Sequence, residues 1–203
     1  VDLCIQHKIP FEQIILDPGQ PISLEALDYR LSSQGYSTLL INAHETSTGL
    51  IYDTKAIGKL TQKYGVFFVV DAISTICADI FMMDEWHVDV SLLSSQKALA
   101  LPPGLSFLAL NKKAKLRLET KTCQSYYFDI KVYLANQSRG QMPFTPVIGH
   151  FMMLQERLKD IKLHGIDFFV SRHSKLAEFF RKGLQGLPLS FLPNSPSNAL
   201  TAI

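Results

Sequence analysis

The sequence is poor in cysteine: Cys4, Cys77 and Cys123 are far apart and odd in number, with no CxxC and no Cys/His ligand spacing. This excludes a disulfide framework and a structural metal centre, and reads as the reduced thiols of an intracellular, cytoplasmic protein. Long apolar runs are also missing. The longest, Val66 to Val70, is bounded by Gly65 and Asp71, far short of the ~20 apolar residues of a membrane span. No charged stretch followed by an apolar core opens the chain, so no signal peptide is expected. An excess of one charge is absent: 20 Lys+Arg face 18 Asp+Glu, a net +2. That argues against a nucleic-acid partner. None of the eleven glycines forms a GxG, which argues against a nicotinamide-binding Rossmann protein. There is no internal repeat and no low-complexity tract.

What remains is 203 residues, 47% hydrophobic and 19% charged. This is enough to bury a core, and allows one large domain or one plus part of a second. Ser23 caps a helix start, with Leu27 and Leu31 in helical spacing. Thr38–Asn42 is a short apolar run that reads as a buried strand. Thr54–Tyr64 reads as a helix capped by Asp53 and ended by Gly65. Val66–Val70, Val88–Leu93 and Leu105–Leu110 are further candidate strands. After a loop over Arg139–Pro146, the pattern turns helical from Val147 (Phe151, Leu154, Leu158, Ile161), and a further helix runs from about Asp167 to Leu184. Strands alternating with helices and reading as apolar runs predict an α/β fold with a mostly parallel sheet. A domain change is expected between 140 and 165.

Chemistry in such sheets gathers at the carboxyl ends of the strands. Four places qualify: the segment after Asn42, Asp71, the segment Ser94–Lys97, and the turn after Leu110. Asp71 either emerges at its strand end or caps a following helix. Lys97, among small and apolar residues, is either on a surface turn or desolvated, and a desolvated lysine suits imine chemistry. The two lie 26 residues apart, each just after a predicted strand. Adjacent strand ends would bring both to one sheet edge, where a carboxylate and an amine suit pyridoxal phosphate. Asn42–Leu50, after another strand, adds hydroxyls and a glycine able to bond a cofactor oxygen, or to cap the next helix.

Three segments, AHETSTG (Ala43–Gly49), VVDAIST (Val69–Thr75) and SSQKALALPPG (Ser94–Gly104), resemble the signatures of class V pyridoxal-phosphate aminotransferases. The similarity is to the alanine–glyoxylate, serine–pyruvate and 2-aminoethylphosphonate–pyruvate branch, and extends through YYFDIKVYLAN (Tyr126–Asn136) and MPFTPV (Met142–Val147). The resemblance implies a type I large domain over residues 1–145, and over 146–203 a linking helix and the start of a small α+β domain. It implies Lys97 as the Schiff-base lysine and proton shuttle, Asp71 as partner of the pyridine nitrogen, and Ile73 against one ring face. Thr46 would bond the phenolic oxygen or nearby atoms, and Gln96 the phosphate. Thr145 would donate to the phosphate of the neighbouring subunit's cofactor in a homodimer. The implied reaction is amino transfer between a small amino acid or aminophosphonate and a 2-oxo acid such as pyruvate or glyoxylate.

The chain departs from that pattern in places. Ala43 stands where many relatives have histidine, with His44 directly beside Glu45. Met142 stands where some have tyrosine. No glycine-rich phosphate turn precedes Thr38. Arg139, Arg157, Arg172 and Arg181 do not match the family's substrate-carboxylate arginine and read as surface residues. With Val1 at its start, the chain is expected to be the central piece of a longer enzyme, of low activity alone. Two rivals stand beside this reading. A lyase or desulfurase would need a reactive cysteine on a mobile loop, and none of the three cysteines is expected in one. A non-catalytic chain would keep the framework alone. The basic cluster Lys112, Lys113, Lys115, Arg117 and Lys121 reads as a solvated helix face, and Tyr126–Phe128 as core or subunit interface.

Overall fold

The computed structural model describes all 203 residues. In chain order it contains α1 (Asp2–Gln6), α2 (Leu24–Ser33), β1 (Thr38–Asn42), β2 (His44–Glu45), β3 (Leu50–Ile51), α3 (Thr54–Lys63) and β4 (Phe67–Asp71). There follow β5 (Val90–Ser94), β6 (Ser106–Leu110), α4 (Lys112–Glu119), α5 (Ile130–Gln137), α6 (Ile148–His164) and α7 (Ile166–Gly183). Side-chain caps start several helices where the sequence offers them. Ser23 Oγ accepts the Ala26 amide at 3.2 Å, Asp53 Oδ1 that of Ala56 at 2.9 Å, and Asn111 Oδ1 that of Ala114 at 2.8 Å. Each contributes roughly 1 kcal/mol by satisfying an orphan donor of the first turn. Gly65, at φ +68°, follows α3 and gives its left-handed exit.

The main sheet has the order β1-β4-β5-β6. β4 pairs parallel to both neighbours, in the register Asn42↔Asp71↔Leu92. β6 runs antiparallel to β5, with Leu92 opposite Leu108. The sheet is therefore mostly parallel, as expected. The antiparallel edge strand corrects one of the four expected positions, because the end of β6 at Leu110 lies opposite the start of β5 (Val90↔Leu110). Its following turn is at the other edge from Asp71. The second strand begins at Phe67 rather than Val66 and ends on Asp71 itself.

One sheet face is covered by α2 and α3. Leu27, Leu31 and Ile57 pack there on Phe68, Val70 and Val88, all under one-tenth exposed. Phe68, fully buried, contributes about 2–3 kcal/mol by leaving water. A smaller cluster joins Cys77, Leu99 and Phe169, with Ile76, Ala98, Phe107 and Ile161 around it. It ties the segments after β4 and β5 to α6 and α7. Tyr126, Tyr127 and Phe128 lie outside both cores, at 87%, 54% and 74% exposure, which removes the core alternative for that stretch. Their rings instead group with Tyr133 and Phe144, Tyr127 stacking on Phe144 at 4.7 Å. No helix is long and apolar enough to cross a membrane.

Candidate active site

Three parallel strands deliver the candidate residues to one sheet edge. β1 ends at Asn42 and leads into the hairpin of β2 and β3, whose turn carries Thr46. β4 ends at Asp71, with Ile73 two residues on. β5 ends at Ser94 and leads to Gln96 and Lys97. Asn42, Asp71 and Leu92 are in register, so Thr46, Asp71, Gln96 and Lys97 all follow the same edge.

Each position has a local cause. Asp71 caps no helix: only turns follow it, and its Oδ1 accepts the Ile73 amide at 2.8 Å. Oδ2 has no protein partner. Ile73 is half-buried by the same turn. Thr46 is fixed by Ser74, their hydroxyl oxygens 2.8 Å apart. The turn beneath it is built by Glu45, whose Oε1 accepts from the Ser47 amide at 2.9 Å and from the Ser47 hydroxyl at 2.7 Å. Asn42 Nδ2 donates to the other oxygen at 2.8 Å. The Ser47 bonds, aided by Asn42, hold the Glu45 carboxyl below its ordinary value against the opposing effect of burial.

The Lys97 loop is organised by Ser95, which is fully buried. Its hydroxyl donates to the Pro102 carbonyl at 2.7 Å and accepts the Leu105 amide at 3.2 Å. Lys97 and Gln96 are exposed on this turn, so the lysine follows its surface alternative rather than the desolvated one. Neither side chain hydrogen-bonds to the protein. Thr145 is exposed on the segment leading into α6 and bonds to none of the other five candidates.

Polar atoms without partners concentrate near this edge. His44 Nε2, Thr75 Oγ1 and Ser94 Oγ are buried with no hydrogen bond, and Ser91 Oγ lies deeper in β5. His44 Nδ1 stands 3.2 Å from the Ser74 carbonyl. A carbonyl only accepts, so Nδ1 is the donor in that contact, and Nε2 has no protein partner.

Several residues that organise the site went unmarked in the sequence. Ser74 and Ser95 are small polar residues in the signature segments. Arg157, a surface residue by the sequence reading, has a side chain only 15% exposed, and its guanidinium stacks 4.2 Å from the Phe169 ring centroid. It sits three residues after Leu154 and four before Ile161, within the apolar stripe of α6, and that placement was the available signal. Arg181 is also no free surface residue: it donates to the carbonyls of Ser197 and Leu200 and to Thr201 Oγ1. There it fixes the C-terminal segment, which Asp79 also holds through Ser197 Oγ at 2.6 Å. Cys123, contrary to expectation, is exposed on the connection between α4 and α5.

A lysine, a carboxylate, a hydroxyl and an amide thus follow one carboxyl-terminal edge of the mostly parallel sheet of an α/β protein. The family follows from comparison: the model of the aminotransferase class-V family matches residues 1–202, and the chain belongs to that family. It is similar to the serine–glyoxylate aminotransferase of Arabidopsis thaliana, 34% identical over 92% of this chain and 49% of that protein. It is also similar to the small subunit of the soluble hydrogenase of a Synechococcus species, 29% identical over all of this chain and 54% of that one. Among solved structures, the alanine–glyoxylate aminotransferase of a Nostoc species superposes with a TM-score of 0.82 at 26% identity, covering 90% of this chain and 50% of that one. The chain spans about half the length of these relatives.

Proposed function

We propose that this chain is the cofactor-binding part of a pyridoxal-phosphate-dependent transaminase. It moves an amino group between a small amino donor and a 2-oxo acid such as glyoxylate or pyruvate. The observation that carries this reading is the convergence of Asp71, Thr46 and Lys97 on one edge of three parallel strands. The donor set fits the cofactor. Asp71 keeps one carboxylate oxygen for a ring N–H, Thr46 offers a fixed hydroxyl, Lys97 an unengaged amine, and the partnerless atoms of His44 and Ser94 lie in the adjoining segments. The relatives named for glyoxylate supply the substrate class.

When bound, pyridoxal phosphate supplies an aldehyde that takes up the donor's amino group and a ring that withdraws electrons from the substrate α-carbon. Lys97 would hold the cofactor through its amine and would serve as the base that takes the proton from the substrate α-carbon. Asp71 would accept the ring N–H and so favour its protonated form. Thr46 would bond the cofactor's phenolic oxygen, Ile73 would pack on the ring, and Gln96 would bond the phosphate. Thr145 donates to the phosphate bound by a second copy, so the working form is a homodimer. Residues 1–145 act as the large domain, and 146–203 as the linking helix and start of the small one. A cytoplasmic location belongs to this proposal, supported by three cysteines that form no disulfide.

The test is the half-reaction. The protein is loaded with pyridoxal phosphate, as the 203-residue chain and as a polypeptide extended to the relatives' length. Serine, alanine, aspartate or 2-aminoethylphosphonate is then added, and pyridoxamine phosphate and the oxo product are measured. Product from the extended form that disappears with Lys97→Ala supports the reading. Equal product from Lys97→Ala, or none with any donor in either form, refutes it.

A further inference from the structure

The loop that follows Lys97 is short of internal donors. Pro102 and Pro103 have no N–H, and Ala100 is held at φ +57°, where a residue with a Cβ is strained. Its carbonyls are engaged by side chains instead. From one side Ser95 Oγ bonds the Pro102 carbonyl. From the other, α6 reaches in at two points. His150 Nε2 lies 3.0 Å from the Pro103 carbonyl. Arg157 donates from Nε to the Leu99 carbonyl at 3.1 Å and from a terminal nitrogen to that of Ala98 at 3.4 Å. The two residues are seven apart, two helical turns, and so share one face of α6.

Arg157 is itself braced. Its other terminal nitrogen pairs with Asp160 at 2.6 Å, and its plane rests on Phe169. His150 interlocks sterically with the loop as well. Gly104 has φ +147°, and a Cβ built there would stand 2.7 Å from His150 Nε2, so the ring occupies the space that a side chain at 104 would need. Lys97 has no side-chain bond of its own, and its carbonyl accepts the Ala100 amide at 2.8 Å. This backbone therefore fixes where the lysine side chain leaves the loop.

We propose that His150 and Arg157 are positioning residues, a two-point clamp through which α6 sets the loop 97–104 and thereby aims Lys97 at the cofactor. This rests on the reading of Lys97 as the cofactor lysine, but the clamp also has a signature that needs no cofactor. A helix that begins just after the Thr145 segment thus reports directly on the lysine, so a shift of α6 against the sheet would re-aim it.

The test uses the variants Arg157→Met, Arg157→Lys, His150→Leu and His150→Gln, with two readouts. The first is amide hydrogen exchange at Ala100 and Leu101, with Val69 and Val70 in β4 as internal controls. The second is the fraction of pyridoxal phosphate trapped by borohydride on Lys97 relative to Lys63. Arg157→Met is expected to speed exchange at Ala100 and Leu101 about tenfold with β4 unchanged, and to lower Lys97 trapping by a similar factor. Arg157→Lys keeps the charge but loses the fork and the stacking, and falls between. His150→Gln, which keeps an N–H donor, restores what His150→Leu loses. Should Arg157→Met fail to fold, the Arg157→Lys and His150 pairs decide the matter. Unchanged exchange and unchanged Lys97 trapping overturn the clamp while leaving the transaminase reading intact. Absence of Lys97 trapping in the unsubstituted protein overturns the transaminase reading, and the exchange data still decide the clamp.

Discussion

Asp89 gives the sharpest test of how the site's framework is held. Its carboxylate is 5% exposed and lies just before β5. Oδ2 accepts the Phe68 amide at 2.9 Å and Lys113 Nζ at 3.0 Å, and Oδ1 accepts Asn111 Nδ2 at 2.8 Å. One side chain thereby ties β4, the start of β5 and the cap of α4. Asp89→Ala leaves the buried Phe68 amide without an acceptor, at about 1–3 kcal/mol, and leaves Asn111 Nδ2 only its longer bond to the Val88 carbonyl at 3.4 Å, at less than about 1 kcal/mol more. Lys113 is 53% exposed, so its pairing adds less than about 1 kcal/mol. The expected loss is ~2–4 kcal/mol, a large share of the ~5–15 kcal/mol of a folded domain, and lowers the melting midpoint by roughly 4–16 °C. Urea and thermal unfolding followed by far-UV circular dichroism measure it. Lys113→Ala is the control, at no more than ~1 kcal/mol. A loss in Asp89→Ala equal to that of the control would refute the argument, since the buried bonds would then contribute nothing beyond the surface pair.

Two further outcomes follow from the same reasoning. Glu45 has its carboxyl held below the ordinary value, chiefly by Ser47. Its contribution to stability is therefore complete above the unfolded value of 4.5 and is lost as pH falls through the lower folded one. Glu45→Gln should flatten stability against pH in that acid window and leave neutral pH dependence unchanged, and an identical acid limb in both proteins would count against the turn described. Burial pushes the Cys77 thiol up despite Arg157 nearby, whereas Cys123 is exposed. Iodoacetamide at neutral pH should therefore label Cys123 in the native protein and Cys77 only after denaturation, as read by peptide mass mapping.

The parts of the fold legible in sequence were those with a strong local cause. β1 occupies Thr38–Asn42 as expected, because an uninterrupted apolar run leaves few alternatives, and α3 follows from the Asp53 cap and the Gly65 exit. The reversal of β6 was not legible, since a five-residue apolar run reads the same in either direction. The hairpin of β2 and β3 has two residues per strand, too few to show alternation. Within the candidate site, one rule about strand ends marked the segment after Asn42, Asp71 and the segment Ser94–Lys97 and needs only the order of elements, whereas Thr46 as a single residue came from the family resemblance. The grip of Arg157 on Leu99 joins residues 58 apart through a backbone carbonyl. Such a bond leaves no mark in sequence beyond a charge placed inside an apolar stripe.

The central claim is that Lys97 is the amine that carries pyridoxal phosphate. The direct measurement is borohydride reduction of the protein incubated with that cofactor, followed by peptide mapping across all lysines, on the 203-residue chain and on the form extended to the relatives' length. The account predicts a pyridoxyl group on Lys97 in the extended form, at cofactor concentrations where Lys63 and Lys113 remain unlabelled. Labelling scattered over surface lysines with none at Lys97 in either form would contradict it.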